Sequence, residues 1–278
     1  MLRFGILFSL LILNTSAIEN GTEVCTSLTT CDDVLATKSE VAAVREEQAR
    51  QAAILEGLDK KLQAFVTNTY PANCAESRNS SKLLVRVPSY STYPFEVTCD
   101  QESHGGGWTT VLRRNDGSQD FFLEWKDYQK GFGQLDNEFF IGLDKLHAMT
   151  SSEPHELLVL LENFYGNQSY ELYDNFRVGP ESNNYTLESV GSFSGDAGDS
   201  LEYHLGRQFT TKERGDCAKG FQGAWWYYNC LHSDLCGMYG EMQGVYGIIW
   251  SSFRTGEFMD MMKRAVMLIR PATFSTAA

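Results

Sequence analysis

The sequence predicts an α+β globular domain preceded by a short α-helical coiled coil. Three observations point there. From about Asp32 to Phe65 the chain has no Pro, a single Gly (Gly57) and many Ala, Glu, Gln and Lys; beyond Tyr70-Pro71 it becomes short alternating segments broken by Gly, Asn and Asp. The 278 residues include 24 Gly beside 13 Tyr, 17 Phe and 5 Trp, which suits a turn-rich, aromatic-packed domain better than a helical bundle. At 42% hydrophobic residues the chain can bury a sizeable core, so global disorder is excluded.

Residues 1–17 read as a secretory signal peptide. Arg3 gives a positive start, Phe4 to Leu13 an apolar stretch too short to span a bilayer, and Asn14-Thr-Ser-Ala17 a small-residue end with cleavage after Ala17. Residues 18–31 form an arm carrying Cys25 and Cys31. All seven cysteines lie beyond the cleavage site, in an oxidising compartment, and sequons stand at Asn20, Asn79, Asn167 and Asn184. These features predict a secreted, extracellular glycoprotein with no membrane insertion.

Residues 32–66 carry the stem. Val34, Val41, Gln48, Leu55 and Leu62 recur every seven residues, and Val44, Gln51, Leu58 and Phe65 follow at an offset of three. This is an a/d seam with one polar layer at Gln48 and Gln51. It serves a homo-oligomeric coiled coil, or else the apolar face of a single amphipathic helix packed on its own domain. Cys25 and Cys31 either join chains across such an oligomer or close a small loop within one chain.

The globular part begins beyond Tyr70-Pro71, and about 205 residues is a plausible size for one mixed α+β domain. Leu83-Leu-Val-Arg-Val and Phe95-Glu-Val-Thr read as strands, Leu157 to Leu161 as a buried strand, and Phe139 to Thr150 as a short helix. Gly105 to Gly107 permit a backbone that Cβ atoms forbid, just ahead of Trp108. Lys+Arg total 23 against 36 Asp+Glu, a net charge of −13, which argues against nucleic acid and anionic lipid as partners.

Cys74, then Phe95-Glu-Val-Thr-Cys99-Asp, Gly105-Gly-Gly-Trp-Thr-Thr-Val-Leu-Arg-Arg-Asn-Asp-Gly-Ser-Gln-Asp-Phe121, Tyr173-Asp-Asn-Phe176, Gly195-Asp-Ala-Gly-Asp-Ser-Leu-Glu-Tyr-His204, Ala224-Trp-Trp-Tyr-Tyr-Asn-Cys230, Trp250 and Met267-Leu-Ile-Arg-Pro271 occur in this order. Together they resemble a fibrinogen C-terminal domain over residues 72–272, which leaves 273–278 as a tail, and with the stem the chain is similar to secreted fibrinogen-related lectins such as ficolins and tachylectins. The resemblance implies a short twisted antiparallel sheet with a loop-rich binding region, and disulfides Cys74–Cys99 and Cys217–Cys230. A loop as small as the second is worth about 2–4 kcal/mol.

The resemblance also implies a site. In the lectins an acetyl-binding pocket lies around the second disulfide; its counterparts here are Phe221, Tyr227, Asn229, Cys230, Leu231 and Tyr246. Phe221 replaces a usual Tyr, Leu231 replaces a usual His, and Asn229–Cys230 matches a bond that is cis in those proteins. Trp225, Trp226 and Tyr227 serve either the core or the pocket. Calcium-binding members of the family hold an ion in the preceding loop. The matching stretch, Phe209-Thr-Thr-Lys-Glu-Arg-Gly-Asp-Cys217, is shortened, with Lys212 and Arg214 beside the remaining candidate ligands Glu213 and Asp216. No cofactor is therefore expected.

Cys236 is the odd cysteine: a free buried thiol, an interchain partner, or a competitor for Cys217 or Cys230. Cys217, Cys230, His232 and Cys236 match no common zinc spacing. An enzyme is not expected, because H-E-x-x-H, G-x-S-x-G and P-loop motifs are all missing, and Gly191-Ser-Phe-Ser-Gly195 places Phe193 where a nucleophile belongs. The expected function is recognition of acetylated glycans or glycoproteins on microbial or cell surfaces in innate immunity, amplified by avidity. The alternative is an angiopoietin-like ligand for a protein receptor or matrix partner.

Overall fold

The structure, a computed structural model, describes residues 28–240, 247–253 and 260–274. The expected signal peptide, Asn20, Cys25 and Tyr246 lie outside them. The described residues fall into two units, divided between Leu62 and Gln63.

Helix α1 (Leu28–Thr69) is 42 residues long. It begins inside the segment expected as an arm, because neither Gly nor Pro interrupts the chain between Leu28 and Glu56; Cys31 therefore stands on a helical turn. Along the helix the seam is open: Val41 is 51% exposed and Leu55 67%, and Val44, Leu58, Leu62 and Phe65 lie between those values. Glu56 and Lys60 pair at 2.8 Å one turn apart, Arg50 reaches Glu47 at 3.0 Å, and the Gln51 amide donates to Glu47. Each such pair adds a few tenths of a kcal/mol to the helix, about 0.2–0.5. An apolar stripe of this kind is what neighbouring helices cover in a coiled coil. Among the described residues no helix is long and apolar enough to cross a membrane.

The globular unit opens with β1 (Lys82–Val85), β2 (Phe95–Asp100) and β3 (Trp108–Arg114). Next come α2 (Trp125–Lys130), the two-residue strands β4 (Phe132–Gly133) and β5 (Phe139–Phe140), and α3 (Leu143–Ser152). Strands β6 (His155–Asn163), β7 (Gln168–Val178), β8 (Leu187–Ser189) and β9 (Phe193–Gly195) precede helix α4 (Asp216–Phe221). β10 (Ser233–Asp234), β11 (Ile249–Trp250) and β12 (Met262–Pro271) complete the order. The main sheet is antiparallel and runs β1–β2–β3–β12–β6–β7–β8. β12 is its centre, pairing Met267 with Leu112 of β3 on one side and Leu268 with Leu158 of β6 on the other.

Strand alternation sorts the apolar residues onto two faces. Leu157, Val159 and Leu161 join the main core, whereas Leu158 packs with Trp108, Val266 and Leu268 in a smaller cluster. A disulfide joins Cys74 to Cys99, its Cα atoms 5.4 Å apart. Gly105, Gly106 and Gly107 all have φ between 79° and 88°, a left-handed run that side chains would oppose.

The helix expected from Phe139 starts later. Phe139 and Phe140 are strand residues paired with β3 and β4, and α3 begins only at Leu143. Gly142 makes the break: it holds φ 107°, and a Cβ there would lie 2.6 Å from the Lys130 carbonyl carbon. An apolar run such as Phe-Phe-Ile suits strand and helix equally until such a break is placed.

Candidate functional site

After β9 the chain leaves the main sheet and folds residues 201–253 into loops, α4 and the small β10–β11 ladder. A disulfide from Cys217 in α4 to Cys230 fastens this region, and the Asn229–Cys230 peptide bond is cis. His204 sets the backbone that follows. It is fully buried; its Nδ1 lies 2.8 Å from the Trp226 carbonyl, and its Nε2 accepts the amides of His232 (3.2 Å) and Ser233 (3.0 Å). Only the neutral tautomer protonated at Nδ1 satisfies all three contacts. Burial lowers the His204 pKa to about 4, so the ring stays in that form at neutral pH.

Beneath the disulfide lies a buried polar core. Tyr227 is 7% exposed and its hydroxyl donates to Asp234, whose other oxygen accepts the Cys236 amide at 3.1 Å. Burial pushes the Asp234 carboxyl up to about 7, against the opposing pull of the Tyr227 hydroxyl and the Arg114 guanidinium. Arg114, itself buried, donates to the carbonyls of Leu235 (3.0 Å) and Gly237 (2.6 Å) and lies 3.8 Å from the centre of the Phe121 ring. Cys236 is a free, buried thiol in this cluster, and burial pushes its pKa up, away from thiolate chemistry.

The pocket counterparts are thus only partly gathered. Phe221 is half-buried, with its ring roughly parallel to that of Tyr227 at 6.5 Å. Tyr227 turns its polar end inward to Asp234, so it supports the site from below. Leu231 packs against the core, while Asn229 is exposed and its carbonyl accepts the Tyr203 hydroxyl at 3.2 Å.

The structure adds four residues that the sequence reading did not assign. The Arg207 guanidinium lies 3.5 Å from the centre of the Tyr228 ring, Tyr228 meets Tyr203 at 5.5 Å, and Tyr203 stacks on His232 at 3.9 Å with planes only 10° apart. These form a continuous ladder on the rim of the cis-linked Cys230 loop. Tyr228 at its middle is 54% exposed, and Leu205, two positions before Arg207, is 40% exposed. The signal available in the sequence was the doublet Tyr227-Tyr228, with one ring for each side of the chain.

In the 209–217 loop the candidate calcium ligand Glu213 has another partner, while Asp216 is exposed at the start of α4. Glu213 accepts the Trp125 amide at 2.7 Å, and Lys212 donates to the Phe122 carbonyl at 3.0 Å. The Arg214 guanidinium covers the Trp125 ring at 3.6 Å. Desolvation opposes ionisation of Glu213, but the Trp125 amide, its own amide, Thr211 and Arg214 outweigh it and hold the carboxyl below its usual range. Calcium needs six to eight oxygens, and among the described residues no group of three or more Asp, Glu, His or Cys is placed to hold a metal. This loop does not fit the ion. Of the described sequons, Asn79 and Asn167 are exposed; Asn184 is half-buried, and its side-chain oxygen accepts from Arg214 at 3.4 Å.

Comparison with known proteins agrees with this architecture. The family model for the C-terminal globular domain of fibrinogen beta and gamma chains matches residues 71–272. Angiopoietin-related protein 6 of Mus musculus is 43% identical over 63% of this chain and 40% of its own length; that of Homo sapiens is 40% identical over 72% and 44%. Tenascin of Gallus gallus is 36% identical over 77% of the chain and 13% of its own length. The chain therefore spans less than half of these relatives. The solved fibrinogen-like globe domain of human ANGPTL6 superposes with a TM-score of 0.67 at 39% identity, covering 72% of this chain and 95% of that one. The protein belongs to the family of fibrinogen C-terminal globular domains.

Proposed function

We propose that this protein is an extracellular, non-catalytic ligand whose fibrinogen-like domain docks a protein partner, a receptor or a matrix component. The observation that carries the reading is the ladder of Arg207, Tyr228, Tyr203 and His232, in which Tyr228 and His232 are exposed and are backed by the half-buried Arg207 and Tyr203. Tyr and Arg dominate the hot spots of protein interfaces, because they bury large area around fixed polar points. The acetyl-pocket counterpart Tyr227, in contrast, has its hydroxyl committed to Asp234 inside the domain. Similarity to angiopoietin-related protein 6 and tenascin supports the same direction over a glycan ligand. The two disulfides of the domain suit an oxidising, extracellular setting. The open seam of α1 supports a homo-oligomer, which multiplies a modest single-site affinity.

The test is binding of the full-length oligomer to a panel of cell lines and immobilised matrix proteins. Binding is expected to vanish after protease treatment of the targets, to weaken about tenfold or more in Tyr228→Ala, and to ignore N-acetylglucosamine. Release by N-acetylglucosamine with Tyr228→Ala still bound refutes the reading and returns an acetylated glycan as the ligand.

A further inference from the structure

We propose that Lys212, Glu213 and Arg214 act as a built-in clamp that takes the place of a bound cation in shaping the 209–217 loop. Three consecutive side chains reach the 122–125 segment, each by a different contact. The Lys212 ammonium sits on the Phe122 carbonyl at 3.0 Å and lies 5.2 Å from the centre of that residue's ring. The Glu213 carboxylate receives the Trp125 amide at 2.7 Å. The Arg214 guanidinium lies flat enough on Trp125 to stand 3.6 Å from its ring centre, and its Nη1 also donates to Asn184 at 3.4 Å.

A metal ion orders a loop by giving its carbonyls and carboxylates a common positive partner. Here the positive partner for the backbone carbonyl is Lys212, and the carboxylate that remains has an amide as its donor. The two cations flanking Glu213 repel an incoming divalent ion at the same place. Residues 210 and 225 form the next link, exchanging backbone hydrogen bonds of 2.9 Å and 3.2 Å, so the clamped loop is tied directly to the strand-like segment that leads into Tyr227 and Tyr228. The clamp therefore positions the base of the exposed face without regard to the calcium concentration outside.

Hydrogen exchange and thermal unfolding of the full-length secreted protein, in calcium and in EDTA, test this. Protection of amides 121–125 and 209–216 and the melting temperature are expected to be the same in both. Glu213→Ala is expected to speed exchange at the Trp125 amide by about tenfold. Glu213→Gln keeps an acceptor and should show a smaller increase, which separates loss of the contact from general unfolding. The proposal is overturned if calcium protects 209–216 in the wild type and Glu213→Ala abolishes that response. It is equally overturned if Glu213→Ala leaves Trp125 exchange unchanged.

Discussion

Replacing His204 by Ala removes a side chain that holds both ends of the cis-linked Cys230 loop. The Trp226 carbonyl and the His232 and Ser233 amides lose their partner together. A buried polar group left unpaired costs about 1–3 kcal/mol, so three of them, partly relieved by entering water, cost about 3–5 kcal/mol. At about 2–4 °C per kcal/mol for a domain of this size, the melting temperature should fall by about 10 °C. Acid gives a second, independent readout. The folded-state pKa is depressed from 6.5 to about 4, so between these values the unfolded chain takes up a proton that the native ring refuses. The contribution is complete above pH 6.5, declines as the pH falls and reaches its floor near 4. At about 1.4 kcal/mol for each pH unit, the loss over that window is about 3 kcal/mol. Urea unfolding of wild type and His204→Ala across that pH range should give curves whose separation shrinks by about this amount towards pH 4. Curves that stay parallel, or a change in melting temperature of only a degree or two, would refute the assignment of His204 as a neutral, three-contact anchor.

Glu171 on β7 is fully buried, and neither of its oxygens has a full hydrogen-bond partner among the described residues, the Gly198 amide giving partial relief. Burial raises its carboxyl pKa, so its contribution to stability is present in acid and lost as the pH rises through the raised value. Glu171→Gln should therefore raise the melting temperature by about 2–4 °C at neutral pH and not in acid, as scanning calorimetry at two pH values would show. On the stem, Leu55 and Leu58 are 67% and 57% exposed. Leu55→Asp with Leu58→Asp should dissociate any non-covalent oligomer, read as a fall in mass by sedimentation under reducing conditions, while an unchanged mass would place the association elsewhere.

Much of the fold was readable because its determinants are local. Gly105 to Gly107 need left-handed backbone, the Trp108 to Arg114 strand alternates faces, and the seam from Val41 to Phe65 repeats every two turns of a helix. The boundary at Phe139 was misread because two aromatic residues suit a strand and a helix equally; what decides is the approach of Gly142 to Lys130, a contact between separate elements. The site was less legible for the same reason. Tyr203, Arg207, Tyr228 and His232 are spread over 30 positions, and nothing in their spacing announces a stack. Tyr227 was assigned to a pocket by resemblance, and only the burial of Asp234 shows where its hydroxyl goes. The short length and flanking cations of the 209–217 loop were legible; its grip on Phe122 and Trp125, nearly 90 residues earlier, was not.

β12 lies between β3 and β6 at the middle of the sheet, yet it is the last of the domain's strands to leave the ribosome. Until residues 262–271 emerge, β3 and β6 each present an open row of amides and carbonyls, and the two halves of the sheet have no common neighbour. Synthesis must then finish before the architecture can close, with exposed edges shielded by chaperones in the meantime. A premature stop a few codons upstream of Met262 removes the keystone rather than trimming an edge, and its product should be degraded instead of accumulating in weakened form.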